Sequence, residues 1–153
     1  MSERRPGDGP VAGRTEDLHQ ALRHAVRGDV RFDAMSRVLY ASDASSYQIE
    51  PLGVVLPRDA DDGAAAVEVC AAHRAPVIPR GGGSGLAGQA IGAGVVIDCS
   101  MHMRGLVIDP DQAMAIAEPG VVLRPPDEDG HSSPDPLYPT DRYRLVMPYT
   151  DKL

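Results

Sequence analysis

The stretch Arg80-Gly-Gly-Gly-Ser-Gly-Leu-Ala-Gly-Gln89 constrains this chain more than any other part of it. Five glycines fall between positions 81 and 88, and apolar strand candidates flank them, Pro76-Val-Ile-Pro79 before and Val95-Val-Ile-Asp98 after. Glycine loses the most backbone freedom on folding, so such a loop is disfavoured unless the space left by the missing Cβ atoms is used. The physical use is close approach of backbone N–H groups to the oxygens of an anion, above all a phosphate. Arg80 adds a charge-assisted donor and Ser84 a hydroxyl. The alternative is a flexible surface loop without a ligand, and the clamp between two apolar strands argues against it.

Two familiar phosphate sites are excluded. Gly83, Gly85 and Gly88 satisfy G-x-G-x-x-G, but the dinucleotide motif needs a helix opening at its third glycine, and the chain reaches a strand by Val95. The P-loop needs a lysine after its last glycine, and the only lysine of the 153 residues is Lys152. The same scarcity excludes an internal Schiff-base lysine. Geometry therefore favours an extended loop that wraps a pyrophosphate with no helix dipole behind it.

Charge narrows the partners. With 15 basic against 22 acidic residues the net charge is −7, which argues against nucleic acid, as do one Phe, five Tyr and no Trp. Cys70 and Cys99 sit in apolar runs without metal-ligand spacing, so buried reduced thiols are expected and no metal site. Arg4-Arg5 leads into Pro6-Gly7-Asp8-Gly9-Pro10 rather than an apolar run, and no stretch reaches membrane-spanning length, so a cytoplasmic protein is expected.

Periodicity sets the elements. Leu18, Ala21, Leu22, Ala25 and Val26 predict a helix from Thr15, its N-cap, to about Val26, with Gly28 as the stop. Val30–Phe32 reads as a short strand, and Ser36–Ala41 as a short helix with Val38, Leu39 and Tyr40 inward. Gly53–Leu56 reads as a buried strand, followed by a helix capped at Asp59, with Asp62 in the capping-box position, that runs to His73. With Pro76–Pro79 this makes a β–α–β unit whose strands are expected to be parallel neighbours. Val95–Asp98, Leu106–Asp109 and Ala113–Ala117 follow, the last two as a hairpin through Asp109-Pro110-Asp111-Gln112. Half of the 14 prolines lie from Pro119 onward, and only Leu145-Val146-Met147 reads as a strand there. His73 and His102 lack partners at catalytic spacing. Asp33, Asp43, Asp98 and Asp109 read as caps and turn formers, and Tyr40 and Tyr47 as core anchors.

Pro57-Arg-Asp-Ala-Asp-Asp62, Val77 through Ala90 with the glycine loop, Val95-Val-Ile-Asp-Cys-Ser100 and Ala117-Glu-Pro-Gly-Val-Val122 resemble the FAD-binding domain of the vanillyl-alcohol oxidase, or PCMH-type, flavoproteins. Val30-Arg-Phe-Asp33, Ser36-Arg-Val-Leu-Tyr-Ala-Ser-Asp43 and Ser46-Tyr47 narrow the resemblance to bacterial FAD and iron–sulphur D-2-hydroxy-acid dehydrogenases, those of D-lactate and D-2-hydroxyglutarate.

The resemblance implies an α+β fold, with a small βαβ subdomain followed by the start of a mostly antiparallel β subdomain. Its spans are a disordered 1–13, a partial FAD-binding domain over 14–123 and an irregular, proline-rich 124–153. The backbone of Arg80, Gly81, Gly82, Gly83 and Ser84 would hold the FAD pyrophosphate, with Gly85, Gly88 and Gln89 lining the pocket. Family members that bind FAD covalently through this loop carry a histidine where this chain has Ser84, so non-covalent FAD is expected. A small 2-hydroxy acid would be oxidised by hydride transfer to FAD only in a complete enzyme; no catalytic residue is assigned. The loss of resemblance after Leu123 is read as a truncated or frame-shifted product, which leaves a non-catalytic remnant unable to bind FAD as the opposing expectation. Pairing with a partner chain or self-association through an exposed sheet edge is expected with it.

Overall fold

A computed structural model describes residues 10–109, 111–112, 114–122 and 144–146. The first helix, α1, spans Pro10–Ala25 and starts five residues before Thr15. Proline is favoured at a first helical position, where its missing N–H would have no partner anyway. The expected disordered start is corrected over 10–13, and residues 1–9 lie outside the described residues. Leu18, Leu22 and Val26, one turn apart, are buried.

Two sheets follow. In the first, β1 (Asp29–Arg31), β2 (Gly53–Leu56), β4 (Val95–Asp98) and β3 (Val77–Arg80) lie in that spatial order. The strands β2, β4 and β3 are parallel, and β1 runs antiparallel to β2. The β–α–β unit is thus parallel, but its strands are not neighbours, because β4 inserts between them. Pro79 explains the order: without an N–H it cannot serve a central strand, so β3 takes the edge. All four residues of β4 are buried, as a central strand requires.

Helix α3 (Ala60–Ala72) crosses one face of this sheet beside α1. Leu22, Val55, Ala66, Cys70, Val95 and Ile97 pack there into the main core. On the other face Val54, Leu56, Ile78 and Val96 pack with Tyr40. Tyr40 follows α2 (Ala34–Leu39), a six-residue helix capped by Asp33, whose carboxylate accepts from Ser36 N and Oγ. Here Val38 and Leu39 are 58% and 64% exposed, against the expectation. The helix is held by polar contacts instead, Arg37 Nε donating to Pro51 O and Arg37 pairing with Glu50. Tyr47 is also exposed rather than a core anchor.

The second sheet has the order β5-β6-β7, with β5 Leu106–Asp109, β6 Met114–Ala117 and β7 Arg144–Val146. The hairpin β5–β6 is antiparallel, and β7 lies parallel to β6. Asp109 shapes the turn by accepting from Asp111 N and Gln112 N. The rest of the proline-rich span 124–153 lies outside the described residues. Both cysteines are free thiols, and burial pushes each up to about 11.

Candidate functional site

Parallel strands β2, β4 and β3 end on one edge of the sheet, and the glycine loop leaves the end of β3 there. In open sheets with parallel strands, ligands gather at these carboxyl ends. Among the described residues, no acceptor meets the N–H groups of Gly81, Gly82, Gly83, Ser84, Gly85 or Leu86. Six successive unspent amides at a strand end make a cradle suited to anionic oxygens.

The loop is built, not slack. Gly83 has φ +65° and Gly88 φ +76°, the left-handed region that favours glycine. At Gly83 a Cβ would also lie 2.5 Å from Arg80 Nη2. Gly85 leaves room for the Gln89 side chain, whose Oε1 accepts from Ala87 N, and Gly88 abuts the Tyr47 ring. Ser84 and Gln89 are exposed.

A second segment, 41–49, buttresses the first. Ala44 N donates to Gly83 O at 2.9 Å, and Asp43 Oδ2 accepts from Ala90 N. The hydroxyl and N–H of Ser45 hold the Asp43 carboxyl below its usual value. Asp43 was read only as a turn former, and Ser42 and Ala44 were not singled out. The run Ser42-Asp-Ala-Ser-Ser46 carried the usable signal, since Asp and Ser side chains build tight turns on neighbouring amides.

Arg80 does not point its charge into the cradle. Its Nη1 donates to Ser42 O at 2.9 Å and to Ala90 O at 3.2 Å, and its Cζ lies 5.2 Å from the Tyr40 ring centroid. Its backbone carbonyl accepts from Cys99 N, in continuation of the strand ladder. The expectation of a charge-assisted phosphate contact from this side chain is corrected to that extent. Asp98, on the same sheet face, is buried and accepts from Tyr40 O–H at 2.5 Å and Ser100 N at 2.8 Å. Burial, then the bond to Asp98, pushes the Tyr40 phenol up to about 12.

On the opposite sheet face an apolar groove of about 440 Å³ runs between α3 and β3, lined by Val67, Val77, Ile97, Cys99 and Met103 among others. Among the described residues no group of three or more His, Cys, Asp or Glu side chains could hold a metal ion. None of their helices is long and apolar enough to cross a membrane.

An amide-rich loop after a parallel strand, followed by an antiparallel hairpin in an α+β fold, is an arrangement suited to a nucleotide cofactor. More particularly, residues 51–125 match the family model described as FAD binding domain, and this stretch is similar to the PCMH-type FAD-binding domains. The chain is 33% identical over 109 residues to the D-2-hydroxyglutarate dehydrogenase of Escherichia coli (strain K12), covering 69% of this chain and 11% of that one. It is 33% identical over 113 residues to the glycolate oxidase subunit GlcD of Bacillus subtilis (strain 168), covering 71% of this chain and 24% of that one. The crystal structure of p-cresol methylhydroxylase shares the fold, with a TM-score of 0.58 at 20% identity over 72% of this chain and 23% of that one. The chain thus spans a quarter or less of the curated relatives described here. FAD is the cofactor of this domain family, and the unspent amides of the loop fit its pyrophosphate.

Proposed function

We propose that this chain is the cofactor-holding part of a flavin-dependent oxidoreductase that oxidises a 2-hydroxy acid, and that its glycine loop holds FAD non-covalently by the pyrophosphate. The observation that carries this reading is the row of amides from Gly81 to Leu86 with no acceptor among the described residues. Gly81, Gly82, Gly83, Ser84 and Gly85 would donate backbone N–H groups, with Gly88 and Gln89 closing the far side of the loop. A pyrophosphate placed there takes several charge-assisted bonds at once without desolvating a side-chain cation.

When bound, the flavin supplies the redox chemistry, accepting hydride from the carbon that bears the hydroxyl. The residues of this chain bind and orient it. The substrate class follows from relatives named for D-2-hydroxyglutarate and glycolate, both 2-hydroxy acids. The groups that bind the acid and take its proton are assigned to the parts of such enzymes outside the stretch matched here.

Gel filtration of the chain preincubated with excess FAD, read for protein and flavin absorbance together, tests the binding step. A compact peak with flavin near one per chain is expected. A flavin-free peak, or protein only in the void volume, would overturn the proposal for this chain and leave the reading of a remnant that does not bind FAD on its own.

A further inference from the structure

Arg80 is a strong cation beside the cradle, yet its side chain is spent on the protein. The guanidinium bonds two carbonyls from distant parts of the chain, Ser42 O in the buttress and Ala90 O beyond the last loop glycine. It thereby ties the loop's exit and the buttress to the residue from which the loop departs. The backbone of Gly83 lies directly against it, since a Cβ there would fall 2.5 Å from Nη2, 2.8 Å from Cζ and 3.0 Å from Nε. The Tyr40 ring faces the same group at 5.2 Å, and the Tyr40 hydroxyl is anchored on buried Asp98 at the end of β4. Among the described residues no carboxylate forms an ion pair with Arg80.

We propose that Arg80 is a positioning residue: packed against Gly83 and bonded to the Ser42 and Ala90 carbonyls, it fixes the loop so that the amides of 81–86 face outward, and it makes no bond to the phosphate. This deepens the reading of the loop as a pyrophosphate cradle and rests on it for its functional consequence. The requirement is for the shape of the group. A guanidinium can bond two carbonyls through Nη1 while its Nη2, Cζ and Nε pack against a glycine backbone and its Cζ faces an aromatic ring, whereas an ammonium lacks the extended group that makes those contacts. The charge still acts through space behind the amides, as it does on the nearby Asp43 carboxyl, without occupying the cradle.

The test compares wild type with Arg80→Met, Arg80→Lys and Gly83→Ala in the full chain, by amide hydrogen exchange without flavin and by titration with FAD and with riboflavin. All three substitutions should speed exchange at Ala44 and Ala90, whose N–H groups bond Gly83 O and Asp43. Exchange in α3 and β4 should be unchanged. FAD affinity should fall about tenfold, the loss of roughly one well-made hydrogen bond, with riboflavin affinity unchanged because it lacks the pyrophosphate. Lysine should not rescue. Unchanged exchange at Ala44 and Ala90 in the Met variant, or FAD affinity restored by lysine, would overturn the proposal in favour of a direct charge contact. If Arg80→Met fails to fold, Arg80→Lys and Gly83→Ala decide alone. If wild type binds no FAD, the pyrophosphate reading falls, while exchange at Ala44 and Ala90 still tests the positioning.

Discussion

Two turns leave the same edge of the sheet and treat their amides in opposite ways. After β2, the carboxylate of Asp62 accepts from Arg27 N at 3.1 Å, Gly28 N at 2.9 Å and Arg58 N at 3.1 Å, and from Arg27 Nε at 3.0 Å. After β3, the amides from Gly81 to Leu86 find no such anion among the described residues. The first turn is a finished anion site whose anion belongs to the chain. The second offers successive amides with no acceptor among the described residues, and under the proposed function an external anion takes that place. One locks α1, β1 and α3 together as the chain folds, and the other, under the proposed function, receives a charge from outside. Binding capacity here follows from which amides folding leaves unspent, more than from glycine content.

Breaking the finished site should give the largest effect. Asp62→Asn keeps the size but puts an NH2 group among donors that need an oxygen. Three backbone N–H groups and a guanidinium around a buried position then lose part of their partner, so a stability loss of about 3 kcal/mol is expected in urea unfolding. The acid side sharpens this. Burial alone would raise the Asp62 carboxyl, but the N–H groups of Arg58 and Arg27 and the Arg27 side chain outweigh it and hold it low. Asp59 is held low as well, first by the amide of Asp62. A carboxyl lower in the folded state contributes stability that is complete above its unfolded value of about 3.9 and is lost as pH falls through the folded value. The Asn variant should therefore show a shallower loss of stability below about pH 4. An unchanged slope would mean that Asp62 is not the anion holding this turn.

The open site should be more forgiving. Gly83→Ala forces a Cβ into left-handed backbone and against the Arg80 guanidinium, for an expected loss of about 1–2 kcal/mol. Tyr40→Phe removes the hydroxyl bonded to Asp98 and should cost about 1 kcal/mol, read from the thermal midpoint. The wild-type phenol should ionise near pH 12 by its absorbance change, above the ordinary tyrosine value of about 10. If either variant loses as much stability as Asp62→Asn, the contrast between the two turns fails.

The sequence showed where strands and glycines lie better than it showed what touches what. Runs such as Gly53–Leu56 and Val95–Asp98 are short, apolar and bounded by turn residues, so they were legible as written. The strand order was not, although Pro79 held the clue that β3 belongs at an edge. Asp62 was read as a capping-box residue, and its neighbour Asp59 does cap α3. The Asp62 carboxylate does accept from the nearby Arg58 N, but its other donors, on Arg27 and Gly28, are more than thirty positions away, beyond any local rule. Arg74 was invisible for another reason. It ends α3 in left-handed backbone at φ +55°, with Arg74 N bonding Ala71 O and Ala75 N bonding Cys70 O, a closure that usually carries glycine. Arg80 was legible by type and position, and only its direction was missed. Direction depends on Ser42 and Ala90, which no spacing in the sequence connects.

Gly82 gives the smallest expected effect on stability and the sharpest test of the comparison. Unlike Gly83 and Gly88 it lacks a positive φ, and a Cβ at this position would meet nothing within 4 Å. Nothing in the described fold requires glycine there. Alanine should therefore leave stability unchanged or raise it by up to about 1 kcal/mol, because it restricts the unfolded chain. If the amides of this loop receive a pyrophosphate, the added methyl stands where the anion must approach, and FAD affinity should drop about tenfold. Stability measured in urea and binding measured by flavin fluorescence should then move independently. A variant that binds FAD like wild type would mean that the anion does not reach Gly82, and would confine the cradle to the amides from Gly83 onward.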